Sequence, residues 1–466
     1  MKKKILLLSV VASSLLADTF ELGKIEVVGQ KEQSITTESV AISETTENTS
    51  KKRITEVLSD VSGISIQNSG ARNEQMVNLR GFDSKHIPLY IDGIPIAVPY
   101  DGYVDFSRFL ISDLSEIEVS KGFASPLLGA NTFAGAINMV TRKPKKELEA
   151  ELNTGMFSKG GWFSDASIGT NQGKYYAELS VSKTKRDSYE LSDQYNEKKY
   201  SVPVGVIQPK GERINSFSTD SKINLKVALT PNPTDEYAFN FIKQWADKGV
   251  PPYAGAQIAG NSSTNARYWQ WDYWNKESYY FISKTGFGDG NYIKTRAYYD
   301  IFKNSLLMFS DKTYATLLGG TSSPSHYDDD TKGASVEAFF KLGKNNSLAF
   351  AAHYKEDAHK EHTDGYSTFK MQDEIYSYGT EYKHQLTENI KIKVGASYDM
   401  EKVKQADDTN YNGTTVPNKE MSHGSTDSFN PMATIEGKIA ADTLLFGGIS
   451  QKSRIPSIKD RYSYRM

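Results

Sequence analysis

From Glu147 onward, apolar and polar residues alternate one by one. In the run Ile390 to Met400, the side chains of Ile390, Ile392, Val394, Ala396, Tyr398 and Met400 share one face, with lysines and small polar groups on the other. That period of two predicts strands. Ile223, Leu225, Val227 and Leu229 repeat it, as do Leu348, Phe350, Ala352 and Tyr354, and again Tyr376, Tyr378 and Tyr382. Tight turns are expected near Asn171-Gln-Gly173, Pro231-Asn-Pro233, Asp289-Gly290, Asn345-Asn346 and Glu388-Asn389. Between them lie long connections, near 187–214, 250–267, 314–331, 361–374 and 407–427. A soluble sandwich also alternates, so periodicity alone leaves the environment open. The regular succession of short and long connections favours a membrane barrel with periplasmic turns and extracellular loops, and counting gives about 13 strands. The last is expected to enter near Leu444 and run through Arg454. The aromatic run Arg267 to Trp274 is read as an interfacial girdle in preference to a ligand-stacking platform.

The first third of the chain is patterned differently. Lys2, Lys3 and Lys4, the apolar run Ile5 to Leu16 and the small Ala17 predict a secretory signal over residues 1–17. Residues 18–52 combine an extended island, Glu21 to Gly29, with a Ser, Thr and Glu-rich stretch that has too few large apolar groups to fold alone, and are expected to be a flexible leader. Residues 53–146 predict a compact domain. It opens with a helical pattern, Ile54 to Val61, and continues with strands at Val77 to Phe82, Leu89 to Ile96 and Ile117 to Val119, and the final run Gly135 to Thr141. Asp92-Gly93 between apolar arms is a hairpin signal. Residues 147–466 form the strand-rich remainder.

Composition narrows the chemistry. Mean hydropathy of -0.53 excludes a bundle of membrane-spanning helices. A net charge of -2 provides no cationic field for nucleic acid. With no cysteine, disulfides, thiolate metal sites and cysteine nucleophiles are all excluded. The Gly122 to Gly135 segment lacks the Gly-Lys-Ser/Thr ending of a phosphate loop. The carboxylate pairs Asp92 with Asp101 and Glu116 with Glu118 suit turns and solvated strands better than acid–base work. No catalytic residue, cofactor or metal site is assigned, and the chain is not expected to be an enzyme.

Several motifs in one order carry a family resemblance: Arg80-Gly-Phe82, Tyr90-Ile-Asp-Gly93, Ile117-Glu-Val119, Lys121-Gly122, Leu128-Gly129 and Gly135-Ala-Ile-Asn-Met-Val-Thr141. Together they resemble the plug of TonB-dependent outer-membrane receptors of the siderophore-receptor kind. The resemblance implies a mainly β chain, an N-terminal α/β plug inside an antiparallel transmembrane β-barrel. It implies Gram-negative outer-membrane localisation, contact with outer-membrane lipid, and a monomer. Ile25, Glu26, Val27 and Val28 then look like a TonB box, engaging TonB with its ExbB/ExbD partners by strand addition. Arg80 and Lys121 stand where the family locks plug to barrel, although Lys121, Phe123 and Ser115-Glu116 depart from the usual residues. Gly81, Asp92, Gly93, Gly122, Gly129, Gly135 and Asn138 are expected to shape the plug. The family barrel has about 22 strands, which implies a truncated or split reading frame, or completion by a second fragment.

By the same resemblance, ligand contacts come from outer plug loops: Arg72, Asn73 and Glu74, and Tyr100, Asp101 and Tyr103. Tyrosine and arginine suit an anionic iron chelate. A ferric siderophore is the leading cargo, with cobalamin or haem as alternatives. His353, His359 and His362 lie among acids that suit Zn, Cu or Ni, yet a hydrated wall and loop is preferred, as is a solvated acidic loop for Asp328-Asp-Asp330 after His326. A passive porin or adhesin-type barrel and a secreted β-rich enzyme are the rival classes.

Overall fold

A computed structural model describes residues 22–24, 37–42, 51–69, 72–122, 124–201, 204–256, 258, 265–288, 290–319, 323–408, 421–440 and 443–462. The signal segment and Ile25 to Val28 lie outside the described residues.

The plug is built on a five-stranded sheet in the order β1 (Thr37–Ala41), β6 (Leu114–Lys121), β7 (Gly135–Thr141), β4 (Leu89–Ile91), β5 (Ile94–Ile96). Beside it stands the hairpin β2 (Ile64–Ser69) and β3 (Glu74–Leu79). All pairs are antiparallel except β4 with β7. Ile54, Val57, Leu58 and Val61, spaced as one helical face, are all buried, and helix α1 occupies Ile54–Leu58. The Glu56 carboxylate accepts from the backbone N–H groups of Lys52 and Arg53 at 2.6 and 3.1 Å, closing the helix start. Ile94, Ile117, Ile137 and Met139 fill the plug core. One expectation is corrected here. Residues 37–41 are not free leader: they pair with β6 from Thr37↔Ser120 to Ala41↔Glu116, because backbone hydrogen bonds to an open sheet edge need no apolar side chains.

The remainder forms one 13-stranded antiparallel sheet in chain order: β8 (Glu149–Met156), β9 (Trp162–Asn171), β10 (Tyr175–Arg186), β13 (Ser218–Asn232), β14 (Asp235–Val250), β15 (Tyr268–Phe287), β16 (Asn291–Phe309), β17 (Ser325–Leu342), β18 (Asn346–Thr363), β19 (Phe369–Thr387), β20 (Ile390–Ala406), β21 (Ser425–Ala440) and β22 (Thr443–Ser450). A small hairpin, β11 (Lys199–Ser201) and β12 (Val204–Val206), lies within the connection after β10. The predicted tight turns that lie in described residues fall at the junctions of consecutive paired strands. Two long connections are shorter than expected: β17 begins at Ser325, placing Asp328, Asp329 and Asp330 in a strand, and 364–368 alone joins β18 to β19. The terminal strand also stops early, at Ser450. The chain then turns onto the plug and ends its described part in helix α2 (Ile458–Tyr462), with Ile455 N–H donating to Asn131 Oδ1 at 2.8 Å.

The side-chain pattern of this sheet is inside-out relative to a soluble protein. On β13, Asp220, Lys222, Asn224 and Lys226 are buried while Leu225, Val227 and Leu229 are exposed. On β20, Ser397, Asp399 and Glu401 are buried while Val394 and Tyr398 are exposed. Polar groups facing the plug and apolar groups facing outward are what a lipid-embedded wall requires. Val227→Arg is therefore expected to weaken insertion into lipid vesicles by about 2–4 kcal/mol, read from a folding titration. An arginine tolerated there would mean that this face meets water.

Candidate functional site at the plug–barrel interface

The lumen-facing row of β13 contacts the plug step by step. Arg53 Nη2 lies 2.9 Å from Asp220 Oδ2, and Arg108 Nη1 lies 3.0 Å from Asp220 Oδ1 without hydrogen-bond alignment. Two residues on, Lys222 Nζ meets Asp113 at 2.7 Å, and Asn224 Nδ2 donates to the same carboxylate at 2.6 Å. Lys226 then reaches Asp92 at 3.4 Å and donates to Thr141 Oγ1 at 2.7 Å. Strand period alone sets this spacing, because residues i, i+2, i+4 and i+6 line one face. Lys248 on β14 adds an ion pair to Asp105. On the opposite wall His353 Nε2 meets the Leu127 carbonyl oxygen at 2.8 Å, and Ser125 Oγ donates to Glu381 at 2.7 Å.

Among the described residues, these contacts between plug and wall use residues other than Arg80 and Lys121. Arg80 Nη1 donates to the Lys121 carbonyl oxygen at 3.2 Å, and Lys121 Nζ pairs with Glu38 on β1. Both contacts stay inside the plug, and among the described residues neither side chain meets a barrel carboxylate. Arg80 is exposed in the turn after β3, and Lys121 ends β6, so both stand away from the β13 face. Arg53, Arg108, Asp113 and Asp220 carry no motif, and only the lumen-facing parity of β13 could have pointed to the last of these.

Three of the expected shaping residues, Asp92, Gly93 and Asn138, meet at one turn. Asp92 and Gly93 take φ of 51° and 76°, as the hairpin type needs. Thr141 N–H donates to Asp92 Oδ1 at 2.8 Å, Gly93 N–H to Asn138 Oδ1 at 3.0 Å, and Asn138 Nδ2 to Glu118 at 2.7 Å and to the Gly23 carbonyl at 3.0 Å. At Gly135 a Cβ would lie 2.1 Å from the Ser120 carbonyl oxygen, so no side chain fits. Gly81, Gly122 and Gly129 occupy positive-φ positions in neighbouring turns.

At the end of the plug nearest the long connections, the six ligand candidates come close together. Arg72 Nη1 is 3.8 Å from Asp101 Oδ2, and Trp271 Nε1 on β15 donates to the Arg72 carbonyl at 2.9 Å. Asn73 Nδ2 donates to the Gly249 carbonyl at 3.0 Å, which ties its loop to β14. Tyr100 stacks on His359 with ring centroids 4.4 Å apart and meets Tyr327 edge-on at 5.8 Å. Lys459 on α2 reaches Asp101 at 2.5 Å. Burial opposes ionisation of Asp101, but Arg72 and Lys459 outweigh it and hold the carboxyl below its usual range. Glu74 has weaker compensation, so burial pushes it up to about 7 despite Arg72. Burial and the carboxylates of Asp101 and Glu74 raise the Tyr103 phenol. A cavity of about 110 Å³ opens between Tyr90, Asn131, His353, Asp357, Asp373 and Ile455.

Barrel residues complete the site. His359 Nδ1 lies 2.8 Å from Asp329 Oδ1, both nearly fully buried. Their sequence signals, a histidine-rich run and an acidic triplet, reside on adjacent strands and meet only through β17–β18 pairing. Trp271 and Trp274 also turn inward, Trp274 packing edge-on against Phe109 of the plug at 6.1 Å. The aromatic run at 267–274 is thus no simple outer girdle, since the register shift between Trp271 and Tyr273 lets Trp271 and Trp274 both face the lumen.

Residues 30–136 match the family model described as the TonB-dependent Receptor Plug Domain. This part of the chain is a plug of the TonB-dependent receptor kind. Such receptors are outer-membrane proteins of Gram-negative bacteria, and the receptor is placed there accordingly. It is 28% identical over 136 residues to the vitamin B12 transporter BtuB of Photobacterium profundum, a stretch covering 29% of this chain and 22% of that one. In fold it resembles the FrpB iron transporter from Neisseria meningitidis (F3-3 variant), with TM-score 0.71 and 15% identity over 92% of this chain and 66% of that one. The copper transporter OprC gives TM-score 0.71 and 15% identity over 90% and 64%. The receptor thus spans less than two thirds of each of these proteins. Its plug packs on the polar, buried face of the sheet, as the motif resemblance implied.

The Asp105 carboxylate offers a pH readout of the docked plug. Burial opposes its charge, but Lys248 and Arg108 win and lower it to about 2. A folded-state value below the ordinary one of about 3.9 stabilises fully above that pH and is lost as pH falls through about 2. Plug stability followed by tryptophan fluorescence is expected to fall between pH 4 and 2, and Asp105→Asn to remove that part of the fall. An unchanged acid profile in the variant would contradict the Lys248 pairing.

Proposed function

We propose that the receptor binds a scarce metal chelate from outside the cell and carries it across the outer membrane by TonB-dependent active transport, a ferric siderophore being the leading cargo. The observation that carries this reading is the apex of the plug: Arg72, Tyr100 and Tyr103 sit beside Tyr327, Trp271 and His359 of the barrel, on a folded stopper tied to the wall by buried ion pairs. A passive pore has no use for such a stopper, and no covalent change to the cargo is needed. Guanidinium and phenol groups suit the anionic oxygens and aromatic rings of an iron chelate. Cobalamin is the second reading, favoured by the sequence likeness to the vitamin B12 transporter.

In this scheme cargo contacts at Arg72 and Tyr100 bias the plug, TonB captures Ile25 to Val28 from the periplasm, and force delivered with ExbB/ExbD displaces part of the plug. Growth of cells relying on this chain, under iron limitation with a panel of defined chelates, tests the cargo. Rescue by one ferric siderophore, weakened at least about tenfold in Tyr100→Ala, is expected, since aromatic anchors in a desolvated site dominate affinity. Failure of every iron source alongside successful cobalamin uptake would replace the cargo.

A further inference from the structure

A second cluster lies on the other face of the wall. Tyr327 and His359 face the plug, so their strand neighbours His326 on β17 and His362 on β18 project outward. His326 and His362 are direct cross-strand partners, with imidazoles stacked at 4.8 Å and 21°. Asp364, in the connection just after β18, places Oδ1 3.3 Å from His326 Nε2. One donor atom from each of the three residues lies within 4.8 Å of the other two. The other nitrogen of His326, Nδ1, is 3.1 Å from the Tyr273 hydroxyl of β15.

We infer that His326, His362 and Asp364 form a binding site for a divalent cation of the Cu2+ or Zn2+ class, on the outer wall near the extracellular end and apart from the cargo path. Ligands about 2.0–2.1 Å from a tetrahedral ion stand about 3.3 Å from each other. The His326–Asp364 separation already meets that edge, and a turn of the His362 ring supplies the third donor. Two imidazoles and one carboxylate select this class over Ca2+ and Mg2+, which prefer all-oxygen sites. The Tyr273 hydroxyl at Nδ1 leaves Nε2 to face the ion, the arrangement by which outer partners orient a metal-bound histidine. The bound ion would tie β17, β18 and the 364–368 connection together at the rim. The sequence alone does not indicate this set, because His326 and His362 are brought together only by strand register.

The full chain, folded in detergent micelles, is titrated with Cu2+ and followed by electron paramagnetic resonance. The expected result is about one equivalent of axial Cu2+ with nitrogen splitting from two imidazoles, displaced by excess Zn2+. The double variant H326A/H362A is expected to lose that signal, while His86→Ala, in the plug, keeps it. Asp364 is exposed in a connection, so Asp364→Asn leaves the fold intact and is expected to weaken binding while preserving both nitrogens; Tyr273→Phe is expected to weaken it about 10-fold. Absence of binding at micromolar Cu2+, or an unchanged spectrum and stoichiometry in Asp364→Asn and in the double variant, overturns the assignment.

Discussion

Replacing Asp220 with alanine is expected to loosen the plug more than any other single change in the wall. The carboxylate is fully buried and lies between Arg53 and Arg108, so its loss leaves two buried guanidinium groups with only more distant counter-charges, Glu56 at 3.9 Å from Arg53 and Asp105 at 3.6 Å from Arg108. Removing one partner of a buried pair costs about 3–5 kcal/mol, chiefly as the penalty on the charge left behind. Trp274 packs on Phe109, next in sequence to Arg108, so its fluorescence during urea unfolding reports undocking. The midpoint should fall sharply in Asp220→Ala and less in Asp220→Asn, which keeps hydrogen-bond acceptors. Removing Arg53 in the Asp220→Ala background should recover part of the loss. Additive losses in that cycle would mean that the groups do not act together.

Deleting Ile25 to Val28 is expected to abolish concentrative uptake while leaving binding of cargo to the outer face intact. The structure describes the three residues just before this segment, and they are anchored. Leu22 is buried in the plug core, the Gly23 carbonyl accepts from Asn138, and the Lys24 carbonyl accepts from Lys294 of β16 at 3.1 Å. The Lys24 ammonium also pairs with Glu116 at 2.6 Å. A pull on the leader would thus reach Asn138, and through it Glu118 and the Asp92–Gly93 turn. Strand addition supplies main-chain hydrogen bonds to TonB, so the deletion removes the handle without touching the cargo site. Uptake of labelled chelate against its gradient measures this, and unchanged accumulation would defeat the active-transport reading.

Much of the barrel was legible because lipid and lumen impose opposite demands on successive residues. That rule predicted 13 strands and the tight turns between them, and the sheet has 13. It did not fix strand ends beyond the membrane, where the pattern carries no burial signal: β17 therefore begins at Ser325, within the expected 314–331 connection, and β22 stops before Arg454. In the plug, turn chemistry at Asp92-Gly93 and close packing at Gly135 wrote themselves into residue type. Pairing across the interface did not. Arg53, Asp113 and Asp220 look like ordinary surface charges until the two parts are docked, which is why Arg80 and Lys121 drew attention through motif alone. The same holds for Tyr100 with His359, and for His326 with His362: their partners are distant in sequence, and only strand register unites them.

Docking of the plug against the lumen face of β13 is the claim on which the functional reading stands. The chain has no cysteine, so an introduced pair is unambiguous. Asp113→Cys with Asn224→Cys replaces a contact of 2.6 Å between plug and wall. Treatment of outer membranes with a short thiol crosslinker should join the two segments and change the mobility of the chain after denaturation. Free thiols that both react once the protein is unfolded, yet never crosslink in the membrane, would place the plug outside the barrel.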